Sequence, residues 1–111
     1  MATEKKKLPG GVTAAQMDAW KKEGPVHIVE VEINDGKEKV VGYFREPNRT
    51  EYGTAAQIFQ KSSPLAVGEF LLNNCKLGGD ERIWTVDKIY MSAAIAAQEL
   101  IDFFPARISR A

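Results

Sequence analysis

Residues 26–33 alternate between two faces, one of which is apolar apart from His27 while the other carries two glutamates. This period of two, in a run rich in β-branched residues, is typical of a half-buried strand. The sequence Asn-Asp-Gly-Lys at 34–37 favours a turn, and a second alternating run over 39–45 predicts the returning strand of a β-hairpin. Because a two-stranded hairpin is not stable alone, we expect it to pack on helices or to pair with another strand. Its outer edges would stay open to strand addition by a partner.

Two segments combine helical spacing of apolar residues with N-terminal capping signals. Thr13 and Gln16 have the spacing of a capping box, which predicts a short helix that ends at a Gly-Pro pair. Asn48 and Glu51 repeat the signal ahead of an apolar stripe and predict a helix over 49–61.

Two more helices are predicted in the second half of the chain. Ser63, which precedes a proline, begins a helix that ends near Cys75, and the paired glycines that follow are expected to stop it. Thr85 is expected to cap a long helix that runs to Phe103 or Phe104. The alanines of this last helix permit the close approach of a neighbouring helix, from this chain or from another copy.

The length of 111 residues suits one domain. Residues 1–11 are rich in lysine and contain a Pro-Gly-Gly sequence, so they are predicted to form a flexible arm. Residues 12–111 are predicted to form a single α+β domain, in which a β-hairpin, open to extension into a small antiparallel sheet, packs against three to four α-helices.

Charge and hydropathy exclude several classes of partner. Fifteen basic and fifteen acidic residues cancel, whereas a duplex-binding domain carries a basic excess, so nucleic-acid binding is not expected. No apolar run approaches the roughly 18 to 20 residues that span a bilayer, and the first residues do not form a secretory signal. The single cysteine suits a reducing compartment, and we expect a soluble cytoplasmic protein without a membrane partner.

Few residues are candidates for chemistry. His27 has no second histidine and no carboxylate pair beside it, and Cys75 is predicted near a helix C-terminus, where the helix dipole disfavours a thiolate. Asp80 and Glu81 lack the spread of oxygen ligands that a calcium loop needs. We therefore predict no catalytic, cofactor or metal site. Three arginines could form an anion site, but nearby glutamates would neutralise them equally well: Arg45, Arg49 and Arg82.

Two segments together carry a resemblance to a known family. They are Tyr-Phe-Arg-Glu-Pro-Asn-Arg at 43–49 and Phe-Leu-Leu-Asn-Asn-Cys-Lys-Leu-Gly-Gly-Asp at 70–80, the second followed by the last helix. In this order and spacing they resemble small proteins of tailed phages and prophages, especially from Bacteroidetes hosts, that look like tail assembly chaperones. The resemblance covers roughly residues 26–103.

Tail assembly chaperones bind the tape-measure protein and help to organise polymerisation of the tail tube. The resemblance therefore implies a non-enzymatic protein of the host cell cytoplasm that binds a protein partner and needs no cofactor. Binding of a partner helix in an apolar groove requires only packed amphipathic helices. We expect the partner-binding surface to include aromatic side chains, with two arginines at its rim: Arg45, Arg49, Tyr52, Phe59, Phe70, Trp84 and Tyr90.

Two other classes of function stay open. One is a structural virion component, such as a tail or connector subunit, which mass spectrometry of purified virions would detect in the finished particle. The other is a small ligand-binding regulator, which a thermal-shift screen with ligands would reveal. The alanine-rich final helix also allows a homo-oligomer.

Overall fold

The structure, a computed structural model, describes residues 7–101 and 105–111. It has an α+β fold, as predicted. Its strands are β1 (Lys7–Leu8), β2 (Val12–Thr13), β3 (Val26–Ile33), β4 (Glu38–Arg45) and β5 (Lys76–Gly79). Its α-helices are α1 (Ala14–Glu23), α2 (Arg49–Lys61), α3 (Pro64–Asn74), α4 (Arg82–Thr85) and α5 (Asp87–Ala97). Two 3-10 turns, Pro9–Gly11 and Gln98–Leu100, complete the described elements.

A three-stranded antiparallel sheet in the order β3-β4-β5 lies between the other elements. β3 and β4 form the predicted hairpin, paired from Val26 opposite Arg45 to Ile33 opposite Glu38. The chain reverses between them over residues 34–37, where three consecutive residues, the last a glycine, have positive φ. The turn chemistry and the period of two therefore predicted the hairpin correctly.

The third strand, β5, lies where the sequence predicts only the end of a helix. Gly78 and Gly79 do not end the preceding helix but pair with Tyr43 and Gly42 of β4. Gly79 has a φ of +122°, and a Cβ atom there would lie 2.5 Å from the carbonyl oxygen of Val41. The glycines thus allow a close strand–strand contact, and they extend the hairpin into a small sheet.

The central strand β4 is buried on both faces. Val40 and Phe44 point into a main core against the helices, together with Val29 and Val31 of β3. Val41 and Tyr43 belong to a second, smaller core on the other face, formed with α1 and the first strands. The sheet is therefore covered by α2, α3 and α5 on one side and by the N-terminal elements on the other.

Residues 7–11 do not form the flexible arm that the sequence predicts over 1–11. The Pro-Gly-Gly sequence forms a 3-10 turn, which folds β1 back onto β2 in an antiparallel pair. The hydroxyl of Tyr43 donates a hydrogen bond of 2.7 Å to the carbonyl oxygen of Pro9, so the turn is attached to the sheet. Residues 1–6 lie outside the described part of the chain.

The first three α-helices have the predicted boundaries because their caps form. The hydroxyl of Thr13 accepts the N–H of Gln16 at 3.1 Å, and the Gln16 side chain accepts the N–H of Thr13 at 2.9 Å. Asn48 and Glu51 make the same reciprocal pair at 2.8 and 2.9 Å. The hydroxyl of Ser63 caps α3, as its sequence predicts.

The long helix that the sequence predicts from Thr85 begins two residues later, at Asp87, and a separate short helix, α4, precedes it. Thr85 is the last residue of α4, and its hydroxyl donates to the carbonyl oxygen of Glu81 at 3.1 Å, so it does not cap the next helix. Val86, with an extended backbone, separates α4 from α5. α5 ends at Ala97, and the predicted end of the helix lies within 102–104, outside the described residues.

The predicted close approach of a helix to the alanines occurs within the chain. Ala93, Ala94 and Ala97 are buried, and the backbone of Ala94 lies against Gly68 of α3. Ala96, on the same helix, is exposed. The buried alanines are therefore already used for packing inside one molecule.

Candidate functional site

The residues predicted to bind a partner differ in how far they are exposed. Phe59 is 56% exposed, and Arg49 is exposed at the start of α2. The other members are half-buried, and most of them make contacts that hold the fold together. Those members are Arg45, Tyr52, Phe70, Trp84 and Tyr90.

Arg45 joins three elements. Its guanidinium donates to both carboxylate oxygens of Glu51, at 2.7 and 2.6 Å, and to the carbonyl oxygen of Asn74 at 2.7 Å. These bonds connect the end of β4 to the start of α2 and the end of α3. The hydrogen bonds from Arg45 lower the pKa of Glu51 to about 2, and those bonds also raise the pKa of Arg45. Arg45, which belongs to the 43–49 segment of the family resemblance, therefore has a structural role in holding these three elements together.

His27 and Tyr52 meet at Glu46. The His27 Nε2 atom shares a hydrogen bond with one carboxylate oxygen of Glu46, and the Tyr52 hydroxyl donates to the other at 2.8 Å. These bonds, the one to His27 foremost, lower the pKa of Glu46. The arrangement attaches the start of β3 to the segment before α2.

Trp84 is an anchor inside the fold. Its ring centroid lies 5.7 Å from that of Phe44, and its indole N–H donates to the carbonyl oxygen of Leu72 at 3.0 Å. The Lys76 ammonium lies 4.2 Å from the Trp84 ring centroid on the outer side, in a cation–π contact. These contacts leave little of the indole for a partner protein.

Tyr90 and Phe70 also pack against the main core. The Tyr90 hydroxyl accepts a hydrogen bond from the Asn73 amide at 3.1 Å and donates one to Glu69 at 3.2 Å, which connects α5 to α3. Burial is the main cause that raises the pKa of the Tyr90 phenol. Tyr90 therefore contributes to the contact between α3 and α5, and Phe70 to the packing of the main core.

The candidate reactive groups are engaged or enclosed. Cys75 is fully buried, and burial raises the pKa of its thiol to about 11. Asp80 accepts hydrogen bonds from Arg82, which lower the pKa of the Asp80 carboxyl, and Arg82 also pairs with Glu38 at 2.7 Å. Within residues 7–101 and 105–111, no three histidine, cysteine or acidic side chains are grouped as metal ligands.

An apolar site lies beside Phe59. Two hollows of about 230 and 260 Å³ share Phe59 and Ile101, and they lie between the end of α2, the start of α3 and the turn after α5. The floor is mostly apolar and the rim carries two glutamines and a glutamate. We refer to this site as the Phe59 groove, which is lined by Ala56, Phe59, Gln60, Pro64, Val67, Gln98, Glu99 and Ile101.

Most of the groove was not identified from the sequence. Ile101 follows the 3-10 turn and is half-buried beside Phe59. Other exposed apolar side chains were also missed, namely Ile28 on β3 and Val86, Met91 and Ile95 on or beside α5. For Ile95 the sequence offers a signal, because helical spacing places it off the face of α5 that carries Ile89, Ala93 and Ala97.

No protein-family model, no curated protein and no solved structure matches this chain. Among the described residues, no helix combines the length and the apolar character needed to cross a membrane. The function of the protein is therefore inferred from the side chains and surfaces described above.

Proposed function

We propose that this chain is a non-enzymatic assembly factor that binds a partner polypeptide in the Phe59 groove. The observation that carries the proposal is the exposure of Phe59, at 56%, beside two connected apolar hollows. A contiguous apolar surface with a polar rim is typical of a site that binds a ligand or a partner protein. Filling the groove would remove this apolar surface from water.

The groove suits one face of an amphipathic helix. Its apolar floor would take one or two large side chains, and Gln60, Gln98 and Glu99 at the rim would meet polar groups beside them. Complete burial of an aromatic side chain is worth about 1.5–3 kcal/mol, so covering the exposed half of Phe59 would contribute roughly 1 kcal/mol. A contribution of this size is compatible with a complex that dissociates during assembly.

The state of the polar groups also supports binding in place of chemistry. Arg45 and Glu51 are used in one ion pair, and Arg82 in another with Asp80 and Glu38. The thiol of Cys75, with its raised pKa, stays protonated near neutral pH and is not a ready nucleophile.

The resemblance to tail assembly chaperones suggests the identity of the partner. We propose a tape-measure protein, or a tail-tube protein assembled on it, bound in the cytoplasm of a phage-infected or prophage-carrying cell. A tape-measure protein is long and helical, and would present amphipathic segments of the kind that the groove accepts.

Binding of the full chain to purified helical fragments of the tape-measure protein from the same genome tests this proposal. Calorimetry should show saturable binding, and Phe59→Glu should weaken it at least about tenfold, because a buried unpaired carboxylate opposes binding. Gln57→Ala is the matched control, since Gln57 is exposed on the same helix but outside the groove. Equal binding by wild type and Phe59→Glu, with both folded by circular dichroism, would contradict the proposed site.

Mass spectrometry of purified particles then separates an assembly factor from a virion component. An assembly factor should be present in assembly intermediates and absent from finished particles. Recovery of the chain in finished tails at a fixed ratio to the tube protein would favour the structural role.

A further inference from the structure

β3 forms one edge of the three-stranded sheet. Within the described residues, β3 pairs only with β4, so the other side of this eight-residue strand is open. β5, at the opposite side of the sheet, is short and lies close to the Pro9–Gly11 turn. The β3 edge is therefore the longer place at which another strand could add.

The hydrogen bonds of β4 show which β3 residues direct their backbone N–H and C=O groups toward the open edge. The carbonyl oxygen of Val41 accepts the backbone N–H of Asp80, and the N–H of Arg45 donates to the carbonyl oxygen of Cys75. The backbone groups of the odd-numbered β4 residues therefore point toward β5. Even-numbered residues of β4 consequently face β3, where Gly42 lies opposite Val29. By the alternation of an antiparallel pair, the backbone groups of the even-numbered β3 residues point to the open edge. They are Val26, Ile28, Glu30 and Glu32.

A hollow lies along this edge on the side of the helices. It has a volume of about 280 Å³ and is bordered by residues 27–30 and by Ala96, Ala97, Glu99 and Leu100. The small alanines leave room for side chains of an added strand. On the opposite face Ile28 is 56% exposed, so an added strand would find an apolar contact on each side.

The edge is acidic. Glu30, Glu32 and Glu99 lie at or beside it, and Lys39, 3.8 Å from Glu30, is the neighbouring cation across the hairpin. A strand that adds here would therefore gain from basic side chains alternating with apolar ones.

Residues 105–111 have this chemistry. The segment has no helix or strand, every one of its residues is exposed, and Ile108 is 98% exposed. Arg107 and Arg110 lie on either side of Ile108 along the segment. In an extended conformation Ile108 and Arg110 would share one face, as Ile28 and Glu30 do on β3. Pro105, which lacks an N–H donor, stands at its start, where an edge strand tolerates it.

We propose that the 105–111 segment of one molecule adds as a strand to the open β3 edge of a second copy of this chain. Its arginines would pair with the glutamates of that edge, and Ile108 would cover Ile28. Main-chain hydrogen bonds would hold the strand, and the charges would select it. A reciprocal exchange would give a closed dimer with a two-fold axis. This association uses a different surface from the Phe59 groove and does not depend on the proposed partner.

Two charge-reversed variants of the full chain test the proposal by sedimentation velocity. The first is Arg107→Glu with Arg110→Glu, and the second is Glu30→Lys with Glu32→Lys. We expect the wild type to form a dimer with a dissociation constant in the micromolar range. Each variant should raise this dissociation constant at least about tenfold. Lys21→Glu with Lys22→Glu is the control for net charge, since both lysines are exposed on α1, and it should associate as wild type does.

An equimolar mixture of the two variants supplies the decisive result. In the mixed dimer a glutamate-bearing segment meets a lysine-bearing edge, and the unchanged segment meets the unchanged edge, so association should return to the wild-type level. Added salt should weaken both the wild-type and the mixed dimer. A wild type that stays monomeric, variants that dimerise as tightly as wild type, or a mixture that fails to associate would each overturn the proposal. Docking of the segment on its own edge would give the first of these results. Circular dichroism of each variant establishes that it is folded.

Discussion

Gly68 of α3 and Ala94 of α5 lie in backbone contact. A Cβ atom at position 68 would come within 1.8 Å of the Ala94 carbonyl oxygen, a distance that no real Cβ contact reaches. The two helices can approach this closely only because neither residue places a large side chain between them. The contact lies in the main core, where Ala93 and Val67 are also buried.

We therefore predict that Gly68→Ala destabilises the protein, although alanine is the better helix former. The helices must separate, and overpacking of this kind costs about 3 kcal/mol or more in the free energy of unfolding. Gly53→Ala is the matched control, because Gly53 is exposed in α2 with open space at its Cβ position. It should stabilise the protein by roughly 0.5–1 kcal/mol. Urea denaturation measures both, and equal effects of the two substitutions would contradict this view of the α3–α5 contact.

The Arg45–Glu51 ion pair predicts a loss of stability in acid. The folded-state pKa of Glu51, about 2, lies below the unfolded value, so the stabilisation is present above the unfolded pKa of roughly 4.3 and is lost as the pH falls toward 2. We expect a loss of about 2 kcal/mol over this range, because Arg45 is partly exposed and solvent weakens the pair.

Glu51→Gln isolates this contribution, since glutamine can still accept the N–H of Asn48 in the capping box. The variant should be less stable than wild type at neutral pH, and the two free energies of unfolding should converge as the pH approaches 2. Denaturant titrations at a series of pH values measure the difference. A difference that stays constant with pH would mean that the pair contributes no charge-dependent stability.

The elements that the sequence predicted correctly are those decided by neighbouring residues. The boxes at Thr13 and Asn48 each join residues three positions apart, and the turn at 34–37 depends on its own backbone preferences. The hairpin register follows from the alternation of the two strands. Such signals need no knowledge of the rest of the fold.

The remaining features depend on contacts between distant residues. β5 forms because glycines at 78 and 79 let it approach β4, but the same glycines are equally suited to ending a helix. The turn at Pro9 is held by Tyr43, 34 positions away. Sequence periodicity identifies an apolar stripe but not whether it is covered, so it could not separate Trp84, which is packed inside, from Phe59, which is open. Of the residues predicted to bind a partner, Phe59 alone therefore lines the groove.

Burial of Cys75 predicts that its thiol is protected in the folded protein. With a pKa of about 11, only about one thiol in a thousand is ionised near pH 8, and the side chain is enclosed as well. A thiol reagent should therefore label the native chain at least about a hundredfold more slowly than the unfolded chain. Ser62→Cys provides the control within one molecule, because Ser62 is exposed. That variant should show one fast and one slow phase, and two fast phases would show that Cys75 is accessible.

The hydrogen bond from Tyr43 to Pro9 is expected to stabilise the N-terminal elements against local opening. Tyr43→Phe keeps the ring in its core, where it lies 5.8 Å from Trp20, and removes only the hydroxyl that attaches the turn. We expect a loss of about 1 kcal/mol in the free energy of unfolding, with faster amide exchange in residues 8–13. Exchange in β3 should change only as far as the global loss of stability requires. Unchanged exchange over residues 8–13 would mean that packing alone holds the first strands against the sheet.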